Sequence, residues 1–220
     1  MQKIKTISNW IEDHSEEVIK NIEQESIDVY SFLKKEFNNS NVSNNHLFQF
    51  VYRSFYRLDN AGLTQEFKNK YFQILEEYRN ESVFHFEKVL QRLYHIPNIK
   101  GNEKTFQFSF VTKMYNTIND SIPIYDSKVA KVFSMSKPHQ KDFEIKLSKH
   151  LEQLKQIQKG YEIILGQNLL PKTIKLFDST FKDNKLSEMK KLDFIFWSSG
   201  KIKAKEQKVE KVRLLDKITN

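Results

Sequence analysis

Chain-breaking residues are scarce in this sequence: 5 glycines and 4 prolines in 220 residues. A β-rich fold needs Gly and Pro at its hairpins and corners. Their scarcity predicts long helices joined by few turns. Apolar spacing agrees. Ile7, Trp10, Ile11, Val18, Ile22, Val29, Phe32 and Leu33 recur at intervals of three, four and seven, which predicts one long helix or two shorter ones over 6–37. The Asn-rich stretch 38–45 breaks this pattern, and Asn44 or Asn45 is placed to cap the aromatic segment Leu47 to Leu58. Leu63, Phe67, Tyr71 and Leu75 form the stripe of a helix over 63–78 opened by Thr64, and a further helix covers 83–94.

Ile96-Pro-Asn-Ile-Lys-Gly101 is the clearest break in the middle of the chain. Beyond it the pattern predicts a helix ending near Asp120, a Pro123-containing turn, and a helix opening at Asp126 and closed by Ser136-Lys-Pro138. A long helix follows over 143–165 with Gly166 at its end, then one from Pro171 to Phe181. A helix over 186–197 stops at Ser198-Ser-Gly200, and the tail over 201–215 is expected to extend or to dock as a last helix. Only Thr105 to Phe110 alternates as a strand does, and that run equally opens the next helix. The expected architecture is all-α, with about ten helices in one compact domain or two closely packed helical lobes with a cleft. The lobes would cover 1–95 and 96–200, with a basic tail over 201–220.

Composition narrows the chemistry. The 18 Phe and 9 Tyr supply core material. With no cysteine, disulfides, iron–sulfur clusters and thiolate zinc sites are excluded. The 6 histidines fall in no metal-binding spacing, so neither a metal nor a cofactor is expected. Walker A, GxGxxG and GxSxG motifs are missing, which removes support for nucleotide hydrolysis, dinucleotide redox and serine-hydrolase chemistry. No apolar leader and no long apolar run is present, so the expectation is a cytoplasmic protein with no membrane role. The net charge of +8 and a pI of about 9.3 raise the chance of a polyanionic partner, a weak signal when taken alone.

The residues that carry chemistry lie between 109 and 133. Asp126 is a carboxylate at a helix start, where it accepts backbone N–H bonds and meets the positive end of the helix dipole. Lys113 lies at the flank of the apolar face formed by Phe110, Val111, Met114 and Ile118. A lysine there either snorkels or projects into a cleft as a nucleophile. Arg53 and Arg57 interleave with aromatics in Phe48 to Arg57, a composition suited to phosphate and base contacts as well as to a buried aromatic face. The tail Lys201 to Arg213 carries six bases and two acids, fit to follow a nucleic-acid backbone or to form a solvated helix.

Phe110-Val-Thr-Lys-Met, Thr117-Ile-Asn and Pro123-Ile-Tyr-Asp-Ser-Lys-Val-Ala-Lys-Val together resemble the core of helix-hairpin-helix DNA glycosylases. The likeness is greatest to a bacterial branch that resembles 8-oxoguanine glycosylases. Met189 to Lys201 is similar to a C-terminal motif of that branch, in which an Asp precedes a helix ending in Trp and Gly. The superfamily hairpin is Leu-Pro-Gly-Val-Gly, whereas Ile96-Pro-Asn-Ile-Lys-Gly101 has one displaced glycine. The resemblance implies that Asp126 is catalytic and that Lys113, or alternatively Lys104, is the nucleophile. It implies a flipped base stacked on aromatics, for which Tyr115, Tyr125 and Trp197 are candidates alongside Phe108 and Phe110. DNA contacts are expected from Lys100, Gly101, Lys104, Arg53, Arg57, Lys128 and Lys131. The alternative is a non-catalytic all-α protein on the same scaffold that binds nucleic acid or a protein partner, for example in bacterial defence. A helical protein with no nucleic-acid role is the third reading.

Overall fold

The computed structural model describes residues 1–99 and 104–218, with the side chains of 208 and of 210–218 outside that description. Eleven α-helices follow one another among the described residues. They are α1 (Gln2–Asp13), α2 (Ser15–Lys20), α3 (Gln24–Asn39), α4 (His46–Tyr56), α5 (Gln65–Glu77), α6 (Phe86–Tyr94), α7 (Phe108–Ile118), α8 (Ser127–Val132), α9 (Phe143–Gly166), α10 (Pro171–Thr180) and α11 (Glu188–Ile218). No strand occurs among the described residues; two isolated bridges pair Leu63 with Asn98 and Pro97 with Lys104. The fold is all-α. No helix among the described residues is long and apolar enough to cross a membrane.

Local chemistry accounts for most boundaries. Asn45 accepts a bond from Phe48 N at 2.9 Å, Thr64 from Phe67 N at 3.2 Å, and Asp142 from Ile145 N at 2.8 Å. Each satisfies a donor that the helix start leaves open. Pro171 occupies the first turn of α10, where its missing N–H costs nothing. With so few glycines, non-glycine residues take the left-handed positions that end helices: Arg57, Ser134, Asn168 and Asp183 all have positive φ.

Three sequence expectations are corrected. Residues 6–37 hold three helices rather than one or two, because the chain breaks at His14, whose Nδ1 turns back to the Trp10 carbonyl at 2.8 Å, and again at Asn21 to Glu23. The helix opened by Asp126 ends at Val132, before Ser136. Ser134 turns left-handed at φ 51°, and Met135 N returns to the Ala130 carbonyl at 2.9 Å. The last helix does not stop at Ser198-Ser-Gly200 but continues to Ile218. There the hydroxyls have partners that suit a buried helix. Ser199 Oγ donates to the Ile195 carbonyl at 2.8 Å and Ser198 Oγ donates to the Val18 carbonyl at 2.6 Å.

By backbone proximity the chain forms two units, Gln24–Ile124 and the pair of segments Met1–Glu23 and Tyr125–Asn220. The Gln24–Ile124 unit holds α3 to α7 around an aromatic core of Phe48, Tyr52, Phe67, Tyr71, Phe72 and Phe108. The phenols of Tyr52 and Tyr71 are satisfied internally. Tyr71 OH donates to the Phe110 carbonyl at 2.7 Å, and Tyr52 OH lies 2.9 Å from Tyr71 OH and 3.3 Å from Thr117 Oγ1.

In the other unit, α1 and α2 pack with the C-terminal helices. Glu12 Oε1 accepts from Thr173 N at 3.1 Å, supplying a carboxylate to the start of α10. Asn21 Nδ2 donates to Ser198 Oγ at 3.1 Å. The core between these helices is built from Ile11, Val18, Ile157, Tyr161, Phe177, Leu192, Ile195 and Phe196. Phe133, just after α8, stacks on Phe196 with ring centroids 5.3 Å apart. That contact helps lay α8 on α11.

Candidate functional site

Asp126 sits immediately before α8 in extended backbone geometry, φ −141° and ψ 163°. Its Oδ1 accepts from Lys128 N at 2.6 Å and from Val129 N at 3.2 Å. One oxygen therefore anchors the carboxylate to the helix start, and the charge stands at the positive end of the α8 dipole. Asp126 is half-buried, and Lys128 and Lys131 on α8 are half-buried as well.

The seat of α8 is set by Gly200. A Cβ on that residue would collide with the Lys128 carbonyl oxygen and stand 2.6 Å from the carbonyl carbon. Only a missing side chain lets the α11 backbone approach α8 so closely. Gly200→Ala is therefore expected to displace α8. The destabilisation should be about 2 kcal/mol, read as a drop of roughly 4–8 °C in melting temperature. Trp197 lies one turn before Gly200 on the same helix and is half-buried, with Lys201 Nζ 4.3 Å from its ring centroid.

No family model matches the chain, and neither does any curated protein or solved structure. Tyr125 is buried against α9: its hydroxyl donates to Gln153 Oε1 at 2.8 Å and its ring meets His150 edge-on at 5.3 Å. Burial, and then the Asp126 charge, push its phenol above the usual range.

Beneath this surface lies a group of residues without an expected role. Lys190 and Asp193 on α11 are both buried, with Nζ and Oδ2 3.5 Å apart, and Lys190 Nζ lies 5.4 Å from the Phe194 ring centroid. Tyr161 on α9 is fully buried. Its phenol is held far above the ordinary value, first by burial and then by the negative charges of Asp193 and Asp126. Lys190 and Asp193 stood inside the Met189 to Lys201 motif with no role attached. The available signal was charge at positions one helical turn apart inside an otherwise apolar run. Among the described residues no cluster of three His, Asp or Glu side chains is placed to hold a metal ion.

The remaining candidates belong to the Gln24–Ile124 unit. Lys113 on α7 is half-buried, donates to Ser109 Oγ at 3.2 Å, and has Nζ 4.9 Å from the Phe110 ring centroid and 5.9 Å from that of Tyr56. It lies over aromatic rings at the flank of the apolar face, as its helical position implies. Tyr115 stacks on Phe84 at 4.4 Å with the rings 8° apart and meets Phe86 edge-on, while Phe108 and Phe110 are core.

Arg53 pairs with Asp59 at 3.3 Å. Arg57 is the left-handed residue that ends α4, so the two arginines do not continue one helical face. Lys104 is exposed and bridges to Pro97. Lys100 and Gly101, expected at the hairpin, lie outside the described residues. The described part of that segment returns Ile99 N to the Gly62 carbonyl at 2.9 Å.

Proposed function

We propose that this chain is a base-excising protein of the helix-hairpin-helix DNA glycosylase type, with Asp126 as its catalytic carboxylate. The observation that carries this reading is the anchoring of Asp126. A carboxylate fixed by two backbone N–H groups on a helix whose position is dictated by Gly200 does not have to reorganise when charge appears. In the proposed reaction a modified base is flipped from the stack. The bond from the sugar anomeric carbon to the base nitrogen breaks, and the departing base keeps the electron pair and takes a proton. The positive charge left on the sugar is opposed by the Asp126 carboxylate. Water, or a lysine amine in its place, then forms the new bond to that carbon and gives up a proton. The amine route gives a Schiff base and allows elimination of the 3′ phosphate.

The buried Lys190–Asp193 pair supports a role beyond stability. A desolvated ion pair typically adds little net stability over a well-packed apolar substitute, and the Asp193 carboxylate of this one, with that of Asp126, is among the charges that hold the Tyr161 phenol up. The departure of Ile96-Pro-Asn-Ile-Lys-Gly101 from the superfamily hairpin favours the second reading, a protein on the same scaffold without chemistry that binds nucleic acid or a protein partner. Glycines in that hairpin let the backbone approach a phosphate, and Asn98 and Ile99 stand where they are expected.

The experiment that separates the two is base release from duplexes each carrying one modified base, combined with borohydride trapping. Release from at least one duplex, with a trapped adduct that disappears in Lys113→Gln, is the expected result. Neither release nor adduct on any duplex leaves only the binding reading.

A further inference from the structure

The excess positive charge is confined to one part of the chain. Residues 125–220 hold 21 of the 36 Lys and Arg but 12 of the 28 Asp and Glu, a net +9, whereas residues 1–124 carry a net −1. Tyr125 precedes Asp126 and donates to Gln153 Oε1 at 2.8 Å; Gln153 Nε2 in turn donates to the Ser136 carbonyl at 2.8 Å. The segment between α8 and α9 is thus tied to α9 and to the residue before the catalytic carboxylate. It carries Lys137 and Lys141, both exposed, and α9 continues with half-buried Lys146 and exposed Lys149, one turn apart. The acids in this stretch are Asp142, occupied in capping Ile145 N, and exposed Glu144.

We propose that Lys137, Lys141, Lys146 and Lys149 form a phosphate-binding surface for duplex DNA, which holds the backbone beside Asp126. The choice of DNA as the polyanion rests on the function proposed above. Duplex DNA presents a dense row of negative charge, and each lysine that neutralises a phosphate releases a condensed counterion. His150 reports on the same surface from below. It is buried, its Nδ1 engages the Lys146 carbonyl at 2.8 Å, and its ring touches Tyr125. Its imidazole is held below the ordinary value, first by burial and then, against a raising backbone bond, by the positive charges of Lys146 and Lys137. The groups facing it are therefore Lys146 on its own helix, Lys137 on the preceding segment, and Tyr125 with Asp126 behind it. A phosphate neutralising those lysines raises the His150 pKa without touching the ring.

The test uses the full chain and an undamaged duplex of about 20 base pairs, with binding followed by fluorescence anisotropy as salt is varied. In Lys137→Gln/Lys141→Gln/Lys149→Gln the slope of log affinity against log salt is expected to fall by about 2–3, near 0.9 for each phosphate that is no longer neutralised. Affinity at low salt should fall at least tenfold. Lys172→Gln/Lys175→Gln/Lys182→Gln removes the same charge at exposed positions of the same unit and should leave the slope near wild type. Saturating DNA should raise the His150 pKa in an NMR titration.

A slope equally reduced in both triple variants, an unchanged slope in the first, or no His150 response to DNA would overturn the proposal. So would displacement of DNA by vesicles of phosphatidylserine. Binding of undamaged duplex needs no base release. Lysine-dependent binding by a chain that excises nothing therefore supports this surface while the catalytic reading fails, and excision that tolerates the lysine substitutions does the reverse.

Discussion

Raising the pH from 10 to 11 is expected to destabilise the fold by about 3 kcal/mol. Tyr52, Tyr71 and Tyr161 are each fully buried, and each phenol is pushed above its ordinary value of 10. Burial is the first cause in all three cases. For Tyr52 it outweighs the hydrogen bonds with Thr117 and Tyr71; for Tyr71 the neighbouring Tyr52 adds to it, and for Tyr161 the charges of Asp193 and Asp126 do.

The sign follows from which state loses its protons first. Unfolded phenols titrate near 10, while the folded ones keep their protons to higher pH. Their contribution is complete below about pH 10, and above it falls by about 1.4 kcal/mol per pH unit for each phenol until the folded group itself ionises. Against a total stability of roughly 5–15 kcal/mol, a few pH units suffice to unfold the chain. Far-UV circular dichroism and phenolate absorbance should change together above pH 10. Phenolate absorbance that reports all 9 tyrosines as titrating normally near 10, with helicity intact, would contradict the burial of these three.

Much of the local structure was legible because the signals are local. Asn45, Thr64 and Asp126 cap the helices that follow them, and Pro171 opens α10, as residue type and position predict. Ser198-Ser-Gly200 was misleading for a physical reason. Small residues are also what one helix uses to approach another, and a lone sequence does not show Lys128 against Gly200. The grouping of Met1–Glu23 with Tyr125–Asn220 depends on contacts such as Ser198 to Val18, nearly the whole chain apart, which no local pattern encodes. At the site, Asp126 was readable from its cap. The effect of the Asp193 and Asp126 charges on the buried Tyr161 phenol depends on residues far apart in the chain, which no local pattern encodes.

The second large effect concerns Asp126 itself, which has two separable roles. As a cap it needs an oxygen that accepts from Lys128 N and Val129 N, and an asparagine oxygen serves nearly as well. Loss of the charge at the α8 N-terminus costs only about 0.5 kcal/mol. Asp126→Asn should therefore fold and melt much as the wild-type chain does, whereas Asp126→Ala should lose about 1 kcal/mol more with the cap. As the group that opposes positive charge on the sugar, the carboxylate has no substitute. Removing one preorganised electrostatic partner of a transition state typically costs roughly 100–1,000-fold in rate.

The most direct measurement is the single-turnover rate of base release by wild type and Asp126→Asn on one modified-base duplex, taken alongside their thermal unfolding. A rate lower by at least ~100-fold with melting nearly unchanged is the predicted result. Equal rates in the two proteins, or no base release by the wild-type chain from any duplex in the panel, would contradict a catalytic role for Asp126 and leave it as the cap of α8.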